Sequence, residues 1–429
     1  MLGRLFKVEA DEAAAVVAGL AMFFLLFASY FMLRPVRETM GIAAGVDNLQ
    51  WLFTGTFVAT LLALPAFGWL ASKVAQRHIL PWTFAFFTLN LLAFAAGLLA
   101  APQAPWLGRV FYIWLSVFNL LAISLAWSVL ADIFVAAQAK RLFALIAGGA
   151  SLGGLAGPIL GTLLIAPLGE AGLLILAAFM LGASAVASLR LQGWRDQHPL
   201  PDAVNPLRRK PLGGNPFAGA SAVWKSTYLL MICLFVLLLA SVSTFLYFEQ
   251  ARLVAETFTD RTRQTQVFGA IDVVVQSLAL LTQLFLTGRV AQRVGIGVLL
   301  VAVPLAVAAG FLWLAMAPGF AIFALVMVAR RAGEYALVRP GREMLFTVLD
   351  TAQKYKAKNF IDTVVYRGSD ALSGWLKRAL DVFGEHPALA MFCGALLALA
   401  WALTGGMLGR AVRRRESCSI TKLARARTA

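Results

Sequence analysis

Cysteine and histidine each occur only three times in this 429-residue chain. Cys233, Cys393 and Cys418 make no CxxC pair and leave an odd number, and His78, His198 and His386 are scattered. Neither set has the spacing of a metal site or a disulfide framework, so we expect packing residues and solvated loop histidines, with no metal ligands and no cofactor. Charge is also scarce, at 14% of residues against 60% hydrophobic, and the mean hydropathy is +0.80. A soluble chain of this length could not hide so much apolar surface from water. Period-2 alternation is missing, which excludes an outer-membrane barrel, and the apolar runs have helix length. A phosphate-cradling P-loop, a Ser/His/Asp set and metal-spaced histidines are all absent, which argues against an enzyme or an ATP-driven pump. What remains is an all-α polytopic membrane protein.

About twelve spans are predicted, at 13–33, 48–71, 79–100, 110–131, 142–166, 171–190, 226–248, 267–287, 294–316, 319–346, 360–383 and 387–409. The net charge of +16 raises the question of nucleic acid, but its placement favours the membrane surface. Lys73, Arg77, Lys140, Arg141, Arg195, Arg208, Arg209, Lys210, Lys225, Arg289, Arg293, Lys354, Lys356 and Lys358 all fall on even-to-odd connections. The opposite connections hold far fewer basic residues, which is the positive-inside asymmetry. Both termini are then expected on the cytoplasmic side of a bacterial inner (plasma) membrane, with the basic tail an orientation and lipid-headgroup signal. The first span follows "MLGRLFKVEADE" with no small-residue cleavage site, and reads as a retained helix.

The longest interior connection is rich in Pro, Gly and basic residues and divides the spans six and six. We expect an N-terminal half at 1–190, a cytoplasmic linker at 191–225, a C-terminal half at 226–409 and a basic tail at 410–429. "KVAQR" (73–77) and "RVAQR" (289–293) repeat at equivalent points of the two halves. Six plus six parallel halves resemble the major facilitator architecture, in which the first and fourth helices of each half line a central cavity. Here those are spans 1, 4, 7 and 10. Fold-level likeness carries no substrate.

The segment "VARRAGEYALVRPGREM" (328–344) sets six ionised side chains in span 10: Arg330, Arg331, Glu334, Arg339, Arg342 and Glu343. Running inward from Phe320, Arg330 and Arg331 lie roughly 15 Å deep, near mid-bilayer. Facing lipid there would cost several kcal/mol, so they must face protein or water. Glu334 follows them by four and three residues, the spacing of one helix face. Pro340-Gly341 is expected to interrupt the helix. In span 11, Asp362, Tyr366, Asp370 and Ser373 recur along one stripe with Arg367 at its edge. Span 1 ends in "LRPVRETM", with Arg34, Arg37 and Glu38, and span 8 carries Asp272. Seven arginines face six acids, a balance that suits mutual ion pairing. The same guanidinium groups match carboxylate and phosphate, and can exchange partners during alternating access. The substrate-binding candidates are Arg34, Arg37, Glu38, Arg330, Arg331, Glu334, Arg367 and Asp370. The gating or coupling candidates are Asp132, Asp272, Arg339, Arg342, Glu343 and Asp362. Asp272, Glu334 and Asp370 are also candidate proton carriers.

Three stretches carry a closer resemblance. "PGREMLFTVLDTAQKYKAKNFIDTVVYRG" (340–368), "LRPVRETM" and "AWSVLADIFVAAQAKRLFALIAGGASLG" (126–153) resemble, in the same order, segments of the ATP/ADP translocases of plastids and intracellular bacteria. The resemblance implies a divergent member or relative that exchanges a phosphorylated anion without hydrolysing ATP. It puts Arg37 where that family has a nucleotide-linked lysine, Glu38 at its acidic neighbour, Arg342-Glu343 at a Lys-Glu pair, and Asp362 and Arg367 in its span-11 pattern. The chain departs from that pattern at Gly368-Ser369-Asp370, where the family has Gly-Lys-Ser, and in span 4, which has no acid. We therefore expect a secondary transporter of an organic anion, by exchange or proton coupling, working as a monomer with the bilayer and its small-molecule substrate as partners and no nucleic acid. The alternative is a proton-driven exporter of amphipathic compounds. It rests on Gly153-x-x-x-Gly157-Pro158-x-x-Gly161 in span 5, which partly resembles an antiporter motif and also suits plain helix packing.

Overall fold

The computed structural model describes residues 8–9, 11–73, 76–102, 104–198, 219–349, 357–383 and 387–428. The described residues contain helices and no strand. Helix α1 is Ala13–Ala43, α2 Leu49–Lys73, α3 Gln76–Ala100 and α4 Pro105–Ile133. The stretch Ala136–Gln197 turns at Gly169, where φ is 66°, and so comprises α5 (136–168) and α6 (170–197). That left-handed backbone costs a residue with a Cβ about 1–2 kcal/mol, which is why glycine sits there. After a short helix, Ala220–Trp224, comes α7 (Thr227–Thr257). Helix α8 runs Arg261–Thr282 and on through Gln283–Thr287 and Gly288–Arg293, and α9 is Ile296–Met316. Helix α10 runs Phe320–Gly333, Glu334–Val338 and Arg339–Leu345; α11 runs Ile361–Val365 and Tyr366–Phe383; α12 is Pro387–Thr428.

Nine stretches among the described residues are long and apolar enough to cross a membrane. One of them holds both α5 and α6, while α10 and α11, the helices that carry the charge clusters, fall outside the set. The twelve predicted spans are therefore all present as helices. The first "VAQR" repeat lies partly outside the described residues, and Lys354, Lys356, His386 and residues 199–218 of the predicted linker lie outside them entirely.

One expectation is corrected. Pro340-Gly341 does not interrupt α10; the helix continues past it to Leu345. The accommodation lies upstream, where Glu334–Val338 is wound as a π-helix and the N–H of Arg339 bonds the carbonyl of Glu334, five residues back. A wider turn absorbs the clash that proline makes with a regular helix.

The chain forms two compact units, and neither is contiguous in sequence. The first holds Met1–Gly45, Ala59–Gly214 and Phe258–Val273; the second holds Val46–Val58, Asn215–Thr257 and Val274–Ala429. In the first, α1 lies along α5 and α6, and the core is aromatic. The ring of Trp114 stacks on Phe118 at 5.5 Å between centroids, and Phe87 meets Phe118 edge-on at 5.0 Å. The core of the second is built around Phe235, Phe245, Phe311, Phe323 and Trp401.

The start of α1 is tied down by a polar network that sequence reasoning missed. Glu12 is fully buried. Its carboxylate accepts from Gln138 Nε2 and from Arg141 Nη2, each at 2.9 Å, and Trp194 Nε1 donates to the carbonyl of Asp11 at 2.7 Å. A buried carboxylate with two such donors contributes more than a surface pair does. Glu12→Ala is expected to cost about 2 kcal/mol of stability, because it strands Gln138 Nε2 and leaves Arg141 its pair with Glu9. Glu9→Ala, which removes a mostly exposed partner of Arg141, is expected to cost under about 0.5 kcal/mol. Thermal unfolding of the two variants in detergent measures the difference.

Candidate functional site

In the first unit, the last turns of α1 carry Arg34, Arg37 and Glu38. Pro35 stays inside the helix, and Thr39 Oγ1 donates to its carbonyl at 3.2 Å while sharing a 2.8 Å hydrogen bond with Thr265 of α8. Arg37 is held from three sides. Its Nη2 lies 2.6 Å from Glu38 Oε1, its Nη1 donates to Ser116 Oγ of α4 at 3.2 Å, and its guanidinium sits 4.6 Å from the centroid of the Tyr112 ring. A ring face and a carboxylate together hold an arginine in one orientation. Arg34 pairs with the buried Asp272 of α8 at 3.9 Å.

In the second unit, the charges gather on α7, α10 and α11. Arg330, Arg331 and Glu334 are 7%, 5% and 6% exposed. Arg330 Nη1 donates to Ser243 Oγ of α7 at 2.6 Å and to Glu334 Oε2 at 2.9 Å. Arg339 Nε approaches the other oxygen of Glu334 at 3.7 Å. Arg342 pairs with Asp362 at 3.2 Å, and Glu343 pairs with Lys358 at 2.5 Å. On α11, Asp370 is buried and loosely held, with Arg367 Nη1 at 3.5 Å and Thr244 Oγ1 of α7 at 3.4 Å. One turn on, Ser373 Oγ donates to Ser241 Oγ of α7 at 2.7 Å.

The predicted residues therefore fall into two groups. Arg34, Arg37, Glu38 and Asp272 meet in the first unit; Arg330, Arg331, Glu334, Arg339, Arg342, Glu343, Asp362, Arg367 and Asp370 lie in the second. Asp132 stands apart at the last turn of α4, sixteen residues and so about 24 Å along the helix from Ser116. Arg34, Arg37, Arg330, Arg339, Arg342 and Arg367 each pair with an acid, but not one to one. Glu334 serves both Arg330 and Arg339, and Glu343 takes a lysine in place of its neighbour Arg342.

Several residues at these sites were not anticipated. Tyr112 and Ser116 are one turn apart on a helix predicted to line the cavity, and their polarity was the available signal. The α11 stripe was read as ending at Ser373. Continuing it by two steps of four reaches Lys377 and Asp381, which pair with each other, with Lys377 buried. Ser241, Ser243 and Thr244 are scattered within an apolar run, where hydroxyls bonding back to their own helix are common. Only the helices opposite give them a role. Among the described residues, no group of three or more His, Cys, Asp or Glu could hold a metal ion.

Residues 15–338, well over half of the chain, match the sequence model of the Major Facilitator Superfamily. Solved structures share the fold at low identity. A bacterial homologue of the human lysosomal transporter Spinster, inward-facing and unoccupied, is 14% identical, with 95% of this chain and 98% of that one covered and a TM-score of 0.62. The nucleoside transporter NupG is 12% identical over 93% and 99%, with a TM-score of 0.61. A POT family transporter in complex with a thioalcohol-conjugated peptide is 10% identical over 92% and 96%, also at 0.61. No curated protein matches the sequence. Family match, twelve helices and fold agree: the chain belongs to the Major Facilitator Superfamily, as a multi-pass membrane transporter of small molecules.

Proposed function

We propose that this protein is a secondary active transporter of an organic anion, phosphorylated or nucleotide-like, which it moves by alternating access. The observation that carries this reading is Arg330. A guanidinium buried ten residues into an apolar helix, aimed at a serine and a carboxylate, is costly to keep in a membrane and is retained for binding. Arg331 beside it and Arg37 on the Tyr112 ring supply further cationic forks that match phosphate or carboxylate. Burial of Asp272, Glu334 and Asp370 supports coupling by protons, and the likeness to nucleotide exchangers supports coupling by counter-substrate. We place the protein in a bacterial inner membrane, as a monomer with both termini cytoplasmic, on the positive-inside asymmetry.

The test is uptake of labelled ATP into proteoliposomes preloaded with ADP. Uptake that requires internal ADP, Arg37 and Arg331 is the expected result. Folded, inserted protein that takes up no ATP would rule out the nucleotide and direct the assay to smaller anions and to substrate-stimulated proton release.

A further inference from the structure

Two π-helical segments face each other beside Glu334. One is Gln283–Thr287 of α8, the other Glu334–Val338 of α10. Gln283 Nε2 donates to the carbonyl of Tyr335 at 2.9 Å, and Thr287 Oγ1 donates to the carbonyl of Ala336 at 2.8 Å, the shorter of its two carbonyl contacts. Pro340 leaves one of these two acceptors without its backbone donor, whichever turn forms. An N–H at position 340 would reach Tyr335 in a π turn and Ala336 in an α turn, and proline has none. An unpaired carbonyl within a membrane-buried helix is costly, and α8 supplies a side-chain donor to each.

The width of that turn decides which arginine meets Glu334. In a regular α-helix, residues five apart point about 140° away from one another. In a π turn they stack, and Arg339, five residues after Glu334, lies 3.7 Å from its carboxylate. Arg330, four residues before it, reaches Glu334 through ordinary α-helical spacing.

We propose that Gln283 and Thr287 are positioning residues that clasp the π turn of α10 open and so hold Arg339 on Glu334. In this arrangement Arg330 and Arg339 both engage the carboxylate; if the turn closes to α-helix, Arg339 rotates away and the contact with Arg330 remains. The clasp thereby sets how tightly Glu334 is engaged, and its importance for transport rests on the anion-carrier reading above. The clasp itself can be tested without knowing the substrate.

The experiment uses the full-length protein in lipid nanodiscs and two readouts. The first is amide hydrogen exchange over residues 334–345. Thr287→Val is expected to raise exchange there about tenfold, the loss of one buried hydrogen bond, while Thr287→Ser keeps protection. Adding Pro340→Ala to Thr287→Val is expected to restore protection, because the new N–H serves Ala336 and closes an α turn. The second readout is modification of Glu334 by dicyclohexylcarbodiimide, followed by mass spectrometry. If the clasp only stabilised the helix, restored protection would return labelling to the wild-type level. A positioning role instead gives several-fold more labelling in the restored double variant, matching Arg339→Gln. Unchanged exchange in Thr287→Val overturns the clasp, and wild-type labelling in the protected double variant overturns the positioning of Arg339. Absence of ATP uptake by wild-type protein would bear on the substrate and leave both readouts intact.

Discussion

Replacing Arg330 with alanine is expected to cut uptake of labelled ATP by ADP-loaded proteoliposomes at least about a hundredfold, and to cost about 3 kcal/mol of stability. The two effects have different origins and can be separated. The stability loss comes from Glu334, which is left buried with Arg339 more distant, at 3.7 Å. Removing one member of a buried pair strands the other, whereas replacing both with apolar groups of similar volume is often neutral. Arg330→Met with Glu334→Leu should therefore unfold close to the wild-type temperature. If the pair exists only to balance charge, that double variant would transport normally. If Arg330 reads the anion, it would be as inactive as the single variant. Thermal unfolding and initial uptake rates of three proteins decide between these, and normal transport by a folded Arg330→Ala protein would falsify the binding role outright.

The second large effect is expected in α5. Gly149, Gly153, Gly157 and Gly161 form a ridge without side chains, against which the backbone of α1 lies. A Cβ on Gly153 would stand 2.3 Å from the carbonyl oxygen of Phe24, and one on Gly157 would stand 2.6 Å from that of Ala28 and 2.9 Å from the nitrogen of Met32. These are backbone atoms and cannot swing aside. Even Gly157→Ala is expected to cost about 3 kcal/mol, and Gly153→Leu to give no folded protein, since the two helices must part along their length. Gly148→Ala is the matched control. It adjoins the same ridge, a Cβ there meets nothing within 4 Å, and the change is expected to be neutral or stabilising by up to about 1 kcal/mol. Monodispersity and thermal midpoint in detergent report all three. Spaced glycines in this helix also resembled an antiporter signature; their contacts with α1 account for them by packing.

Twelve helices and their charges were legible in the sequence because a bilayer makes them so. An apolar run near 20 residues long has one stable answer in hydrocarbon, and an arginine within such a run must turn toward protein or water. The i, i+4 pairing of Arg330 with Glu334 also followed from spacing alone, since helical geometry is local. What could not be read was anything that depends on a second helix. Ser243 and Ser116 donate back to their own helix, as a hydroxyl in an apolar run commonly does, and whether such a hydroxyl also accepts from an arginine is undecided until the opposite helix is in place; so both went unnoticed. Pro340 is the clearest case. Proline announces a break, and the chain shows none, because Gln283 and Thr287, more than fifty residues earlier, donate to the carbonyls of Tyr335 and Ala336, one of which the ring leaves without its backbone donor.

Sequence by itself thus determined the class, the span count and which residues are too polar to face lipid, all consequences of hydrophobicity and helical period. Only tertiary structure decided the partners: Glu334 between two arginines, Glu343 on a lysine, Arg37 over a tyrosine ring. Such choices turn on differences of an ångström between side chains on separate helices, and no pattern along one chain encodes them.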